Sequence, residues 1–577
     1  LSGDVAAAVA YARRGLSEIE PAADPHGAAY LHERLRWYLW EGGDQAGAER
    51  ALDEAYALVP ADPPNTARAR VLAQLAGVRM RQGRLTESSA LAEESNQMAR
   101  SVGALPELAF ALGVRAWDRT MLGLAVEGLA DLRDAAAIAD LLESAEGRAL
   151  GVANRALMLL YLGRDGEALE VARAGRSTVR AVGLAALFDA RLAATAAAAC
   201  FRLGSWSDAA ILCREALDEG PARADSVWVG AVAARLGAAM GDDDLVRAGF
   251  ELSARDQSAN LEPLYTSWLE LARLEVARTA GSTDGSVSPE TTRAPSRLPV
   301  DVIADEATAS IAAATIRTAA DRAEVARAAG FSSDADAESR LAVDLLTTWR
   351  ARRAAAAGRT ADEGGITAAE AMAEAELGRA SGASDPALWE RAVAAEEARA
   401  LPYPAAYARF RHAESIVQRP TAVSRRDAVR AAAADEAQTA RASAVALGAR
   451  PLIEAIDSLI RRARLDDVPA GRRPTEAETA TTPGLDQVAA FVERRGLTPR
   501  EVEVLKLLAA GWSNGEIGRA LFITRKTASV HISNILGKLG AANRVEAAAM
   551  AQRVGVVGPS RPGSALEELR ERANSRV

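Results

Sequence analysis

The sequence predicts an all-α fold in which stacked helical hairpins precede a small C-terminal helical domain. Apolar residues make up 49% of the 577 residues but aromatic residues only 4%, and alanine-rich stretches stand where strands would favour Val, Ile, Thr and Tyr. Glycines recur at a nearly fixed spacing through the first half of the chain. Near the C-terminus, successive short segments each begin with a helix-capping residue. We expect several domains, because a single core rarely serves more than about 300 residues.

The first 280 residues carry a repeat in which a hydrophobic pair is followed by a glycine-led turn and a new helix. The glycines that mark this repeat are Gly43, Gly83, Gly123, Gly163, Gly204 and Gly241. They lie 40, 40, 40, 41 and 37 residues apart. Such a period is typical of stacked helix pairs that share one continuous core. We therefore expect a solenoid of tetratricopeptide-like hairpins, with glycine at the C-terminal turn of a helix.

Two segments rich in Ser, Thr, Gly and Pro divide the chain, because such composition does not support a helix. The predicted order is tetratricopeptide-like repeats over residues 1–280, a linker over 281–299, a second helical-repeat region over 300–465, a linker over 466–490, a four-helix domain over 491–558 and a tail over 559–577.

Charge is unevenly distributed along the chain. The formal net charge is −9, yet the stretch from Leu497 to Val557 holds eight basic and four acidic residues. That stretch is therefore +4 and leaves −13 for the remainder. A basic module on an acidic body is typical of a domain that binds a polyanion, because phosphate attraction acts locally.

Other functional classes find little support. Cys200 and Cys213 have no CxxC spacing or His partner, so we expect buried reduced thiols, without a zinc site or disulfide. The apolar run 184–203 is broken by Asp189 and Arg191 and is too polar for a membrane span, so we expect a cytoplasmic protein. The GxSxG match around Ser513 lacks the preceding strand of a hydrolase nucleophile elbow. We expect neither enzymatic activity nor a cofactor.

The segment 497–551 is predicted to contain four helices, each with a start signal. The signals are Thr498 with Pro499 and Glu501, Ser513 with Glu516, Thr524, and Asn543 with Glu546. The third helix is the informative one, since its apolar residues recur at helical spacing. They are Ala528, Ile532, Ile535 and Leu539, and we expect them to be buried.

Another face of the third helix is small and mostly polar, a surface that enters the major groove of DNA in helix-turn-helix proteins. It carries Lys526, Ser529, Val530, Ser533 and Gly537. Basic residues at the start of this helix and at the next cap are expected to hold phosphates. The predicted DNA-binding residues are Thr524, Arg525, Lys526, Thr527, Ser529, Val530, Ser533, Asn534, Lys538 and Arg544.

The same segment resembles the LuxR family of transcription regulators over about a tenth of the chain. The matching elements are LTPREVEVLKLLAAG, SNGEIGRAL, ITRKTASVHISNIL, KLG and NRVEAA. The resemblance implies a four-helix LuxR-type helix-turn-helix domain that acts as a homodimer, with the last helix, 544–552, at the dimer contact. It also implies base-facing roles for Ser529, Val530 and Ser533. Many family members carry lysine at the two serine positions, and this chain does not.

Two further segments resemble the region that precedes the DNA-binding domain in the large ATP-binding LuxR-type regulators. They are PYPAAYARFRHAE (402–414) and LGARPLIEAIDSLIRRARL (447–465). Those regulators carry an N-terminal ATPase, but this sequence has no GxxxxGK[ST] phosphate loop, and its one Gly-Lys pair, Gly537-Lys538, lies in the third helix. We expect no ATP hydrolysis. An ATPase upstream of Leu1 is a hypothesis that follows from the resemblance.

The sequence therefore predicts a regulator that binds double-stranded DNA and is controlled by a protein partner or small effector at its helical repeats. The alternative is a helical-repeat scaffold for protein interaction whose helix-turn-helix does not bind DNA. The serines at positions 529 and 533 favour that alternative.

Overall fold

In the computed structural model, the described residues are 5–221, 223–255, 263–279, 306–355, 363–419, 422, 425–466 and 499–509, together with positions 517, 521, 524, 529, 531, 532, 535, 536, 538 and 547. Regular structure in these residues is helical, and none of them lies in a strand, so the predicted all-α class is confirmed. The chain separates into two compact units, Leu1–Gly471 and Arg472–Val577. Among the described helices, none combines the length and apolarity that crossing a membrane requires.

The first unit holds twenty-one described helices. In chain order they are α1 (Val5–Glu18), α2 (Pro25–Glu41), α3 (Gln45–Leu58), α4 (Thr66–Arg81), α5 (Leu85–Val102), α6 (Leu105–Met121), α7 (Ala125–Leu141), α8 (Ala145–Tyr161), α9 (Asp165–Ala181), α10 (Ala185–Leu203), α11 (Trp206–Asp218), α12 (Arg223–Met240), α13 (Asp243–Ser253), α14 (Pro263–Thr279), α15 (Glu306–Ala328), α16 (Ser332–Ala355), α17 (Glu363–Ala380), α18 (Pro386–Ala398), α19 (Pro402–Gln418), α20 (Arg426–Leu447) and α21 (Arg450–Ala463). In the second unit, α22 spans Pro499–Ala509.

Several of these helices begin at a side chain that caps the first turn. Asp44 accepts a hydrogen bond from the Gly47 amide at 2.8 Å, and Asn65 accepts one from the Arg68 amide at the same distance. Such a cap satisfies an amide that has no partner inside the helix and stabilises the helix by about 1 kcal/mol. Local sequence therefore decides where these helices start.

The six glycines that mark the repeat all adopt positive φ, between 70° at Gly163 and 87° at Gly43. Each lies just beyond the C-terminal end of a helix, in the left-handed region that favours glycine. The predicted role of these glycines at helix ends is confirmed.

A second series of turns, at the ends of the alternate helices, has the same 40-residue spacing. Gly103 and Gly183 have φ of 69° and 74°, but the corresponding position between them is Glu143, with φ of 52°. The amide of the next residue, Ser144, donates to the Ala139 carbonyl at 2.9 Å. Position 143 thus forms the same turn with a side chain that the left-handed region disfavours.

The helices pack in sequence order within the first unit. Neighbouring helices lie against each other from α1 to α13 and again from α14 to α21, and α4, α6, α8, α10 and α12 also contact one another in turn. This is the packing order that a stack of helical hairpins requires. The tetratricopeptide-like assignment itself stays a prediction.

Helices on both sides of the predicted linker 281–299 share one core. The largest group of buried side chains includes Leu157 and Trp228 from the earlier helices and Trp389 and Ile456 from the later ones, and α14 packs directly on α15. Apart from Asp466, the linkers lie outside the described residues, so the domain boundaries stay predictions.

Small residues allow the closest helix contacts in this core. A β-carbon at Gly230 of α12 would lie 2.3 Å from the Gly249 carbonyl oxygen of α13, far inside van der Waals contact. Cys200 and Cys213 are buried and unbridged, as predicted. Within the described parts of the chain, no three His, Cys, Asp or Glu side chains come together as metal ligands.

Candidate nucleic-acid interface

The first helix of the predicted four-helix domain is α22, in the second unit. Helix α22 begins at Pro499, a residue suited to the first helical turn because its missing amide needs no partner there. Its apolar side chains Val504, Leu505 and Leu508 are at most 2% exposed. The buried face of this helix therefore contributes to the core of the domain.

The third predicted helix buries one side and leaves other positions accessible. Positions 529, 531, 532, 535, 536 and 538 are helical. Ile532 is 7% exposed and Ile535 is fully buried, whereas Ser529 and His531 are partly exposed. The predicted buried stripe is thus confirmed at its two isoleucines. Its other members, Ala528 and Leu539, lie outside the described residues.

Further buried positions come from the second and fourth predicted helices. Ile517 and Ala547 are fully buried, and Leu521 is 7% exposed. The Leu521 amide donates to the Ile517 carbonyl at 3.0 Å, as in an α-helix. All four predicted segments therefore supply at least one buried apolar side chain.

An ion pair joins the first and third helices. The Lys538 ammonium lies 2.6 Å from Glu501 Oε2 and donates a hydrogen bond to it. The Glu501 side chain is 5% exposed and that of Lys538 is 35% exposed, so the carboxylate is largely removed from water. A pair with one buried partner is costly to break, because the remaining charge keeps its desolvation penalty.

The sequence alone did not reveal this pair. It assigned Glu501 to a helix cap and Lys538 to DNA, and the two residues are 37 positions apart. No short-range pattern links residues at that separation. Lys538 stays a predicted DNA contact, but the structure gives it a partner inside its own domain.

Of the remaining predicted DNA-binding residues, two are described. Thr524 is exposed and lies outside helical conformation, as expected for a residue that caps the third helix. Ser529 follows it on that helix and is partly exposed. The others lie outside the described residues and stay predictions: Arg525, Lys526, Thr527, Val530, Ser533, Asn534 and Arg544. Ser513 also lies outside them.

Comparison with known families identifies this domain. Residues 495–551 match the GerE model, which describes the luxR family of bacterial regulatory proteins. The C-terminal segment is a LuxR-family helix-turn-helix domain. The match covers the four segments whose buried residues are described above, so the family assignment and the burial pattern agree.

Individual relatives of the LuxR-type domain are bacterial regulators. The transcriptional regulatory protein LiaR of Bacillus subtilis is 54% identical over 57 residues, which cover 10% of this chain and 27% of LiaR. LnrK of the same organism is 41% identical over 73 residues, 13% of this chain and 33% of LnrK. The response regulator VraR of Staphylococcus aureus is 53% identical over 51 residues, 9% of this chain and 24% of VraR.

This similarity is confined to one part of each protein. The matched stretch spans about a quarter to a third of the length of these relatives. In this chain it covers 9% to 13% of the residues.

Proposed function

We propose that this protein is a transcription regulator that binds double-stranded DNA sequence-specifically through the third helix of its LuxR-type domain. The main support for this proposal is the pattern of buried and exposed residues on that helix. Its isoleucines at 532 and 535 are buried, while Ser529 on the same helix is partly exposed and Thr524, which precedes the helix, is exposed. A helix anchored on one side and small on the other enters the major groove without steric conflict.

The local excess of positive charge supports the same proposal. The stretch Leu497–Val557 is +4 within a chain of net charge −9. Cations on such a module displace counterions from DNA, so affinity falls as salt rises. Arg525 and Lys526, at the predicted start of the third helix, are proposed to hold phosphates.

Fluorescence anisotropy with a duplex selected from random-sequence DNA tests this proposal. For the double variant Arg525→Ala/Lys526→Ala, we expect weaker binding and a salt-dependence slope smaller by about 1.8, since each lost phosphate contact contributes about 0.9. The matched control is Arg13→Ala/Arg14→Ala, which removes two exposed adjacent arginines from α1 and should leave affinity and slope unchanged.

The alternative function, a helical-repeat interaction scaffold with a DNA-binding-deficient helix-turn-helix, makes the opposite prediction. Ser529 and Ser533 favour it, because serine brings no positive charge to the groove-facing surface. Absence of binding to any duplex at low salt would support the scaffold, whereas binding that the double variant leaves intact would refute the proposed phosphate contacts of Arg525 and Lys526.

Regulation is proposed to act through the first unit, which binds a protein partner or a small effector. We further propose a homodimer on DNA, with contact through the helix 544–552, and action in the cytoplasm, where bacterial DNA lies. The protein is proposed to have no catalytic activity of its own. Sedimentation of the complex with a single duplex would measure how many chains bind.

A further inference from the structure

A cavity of about 110 Å³ lies inside the first unit, where the earlier and later helices meet. Its walls come from α8, α10, α12 and α14 on one side and from α15, α18 and α19 on the other. Aromatic side chains form one part of the lining, among them Phe201, Trp268 and Tyr403. The cavity is about a quarter smaller than one of about 150 Å³ that holds a benzene ring. It is therefore suited to a molecule built on a single ring.

An arginine in this lining lacks the acidic partner that its neighbours have. The Arg235 guanidinium carbon lies 4.4 Å from the centre of the Trp268 ring and 5.4 Å from that of Phe201. It forms no hydrogen bond or ion pair with any described residue. Burial lowers its pKa to about 10, so the group remains a cation at neutral pH.

The nearby carboxylates are already engaged by other groups. Arg202 lies 2.9 Å from Glu306 and Arg399 lies 2.6 Å from the same carboxylate. Glu275 accepts a hydrogen bond from Tyr403 at 2.9 Å and is also paired with an arginine of its own helix. Among the described arginines of the lining, Arg235 is the one that forms no ion pair, although Glu275 and Glu306 attract it at longer range.

One further acid in the lining keeps an unused polar atom. Glu396 is 5% exposed, and its Oε2 has no hydrogen-bond partner in the described structure. Arg399 Nη1 lies 3.6 Å from this oxygen, beyond hydrogen-bond distance. Burial raises the pKa of Glu396 to about 7, and the negative charge of Glu306 adds to this rise. Arg399 and Arg202 lower the pKa but do not cancel the effect of burial. A protonated Glu396 would not repel an anion at Arg235.

We infer that this cavity binds a small organic monocarboxylate with a flat apolar body. The carboxylate pairs with the Arg235 guanidinium, since planar arginine donors match a carboxylate in two-point contact. The body packs against the rings of Trp268 and Phe201. This inference rests on the proposed function, because it names the chemical class of the small effector that the first unit would receive.

The test uses the full chain, with benzoate as the anionic probe and benzamide as its neutral isostere. Isothermal titration and thermal melting are measured for wild type and for Arg235→Met. We expect benzoate to bind wild type and raise its melting temperature, benzamide to have no effect, and R235M to lose at least tenfold in benzoate affinity, as loss of a charged hydrogen-bond partner predicts. Inorganic phosphate should not replace benzoate, because it has no flat body.

The apo protein gives a second readout that separates binding from a structural role. Because Arg235 is desolvated without a partner, R235M should melt higher than wild type when no probe is present. A residue that merely holds the fold together would give the opposite shift. The control Arg13→Ala, at an exposed site, should match wild type in every measurement. If R235M does not fold, Arg235→Lys keeps the charge and should retain measurable benzoate binding, whereas Arg235→Gln should lose it.

The inference is overturned if benzoate does not bind, if benzamide or phosphate gives an equal shift, or if R235M binds benzoate as tightly as wild type. DNA binding is measured on the same preparations without benzoate. DNA binding without benzoate binding refutes the effector class alone. Benzoate binding without DNA binding refutes the proposed regulator and leaves the cavity assignment standing.

Discussion

Replacement of Asp118 by asparagine should stabilise the protein, and the gain should grow as pH rises. Asp118 lies on α6 and is completely buried. Its Oδ2 accepts a hydrogen bond from the Ser88 hydroxyl at 2.8 Å, but Oδ1 has no partner in the described structure. Burial raises the pKa of this carboxyl from 3.8 to about 7, and the Ser88 hydrogen bond opposes the rise only in part.

The direction of the pH effect follows from the two protonation equilibria. Below about pH 4 the Asp118 carboxyl is protonated in both the folded and the unfolded chain. As pH rises toward 7, the unfolded chain releases this proton and the folded chain retains it, so the free energy of unfolding falls by up to about 1.4 kcal/mol per pH unit. Above pH 7 the Asp118 carboxyl is ionised in both states. The free energy of unfolding is then about 4 kcal/mol lower than it is at low pH, because the folded chain holds a buried charge.

Urea denaturation of wild type and Asp118→Asn at pH 5 and pH 8 measures this effect. The asparagine side chain of the variant does not titrate, and the other titrating groups are shared, so they cancel in the difference between the two proteins. We expect the advantage of D118N to be larger at pH 8 than at pH 5 by about 2.5 kcal/mol. Ser88→Ala removes the hydrogen bond that lowers the Asp118 pKa, so the fall in stability should extend to higher pH. An advantage that is equal at the two pH values would refute the reasoning.

Four further substitutions test local features of the fold. Glu143→Gly should raise the free energy of unfolding by about 1 kcal/mol, because it relieves a left-handed φ; a lower urea midpoint would contradict this. Glu501→Gln should weaken the interaction with Lys538 by about 1.5 kcal/mol. Hydrogen exchange of the amides in 499–509 should then be roughly tenfold faster. Unchanged exchange would show that the ion pair does not stabilise this helix. Gly230→Ala should destabilise the protein by more than about 2 kcal/mol, because the new β-carbon overlaps the backbone of α13. The control Gly113→Ala should stabilise the protein slightly, because a β-carbon there meets nothing within 4 Å. Equal effects of the two variants in thermal melting would disprove the close approach of α12 and α13.

Much of the local structure could be predicted because its causes lie within a few residues of each other. Gly163 and the five other glycines of the repeat end helices because glycine readily adopts the positive φ that such a turn requires. Ile532 and Ile535 are buried because helical spacing puts them on one face. The LuxR-type domain was recognisable because its motif is an ordered, continuous stretch of sequence.

Other features had no such local signal. Glu143 occupies a turn that the glycine pattern alone assigns to glycine, and only the backbone shows that it has positive φ. The Glu501–Lys538 pair depends on how two helices cross within the domain. The sequence assigned each of these two charges a plausible separate role, since solvated and paired charges look alike in a sequence.

By itself, the sequence determined the helical class, the 40-residue rhythm of turns and the presence of a LuxR-type domain. Only the tertiary structure decided which distant charges meet. Arg202 and Glu306 are 104 residues apart yet lie 2.9 Å from each other, whereas Arg235 of the same cavity lining forms no ion pair with a described residue. The physical reason is that helix periodicity and capping are short-range properties of the chain. Charge pairing and cavity formation instead depend on packing between helices that the sequence places far apart.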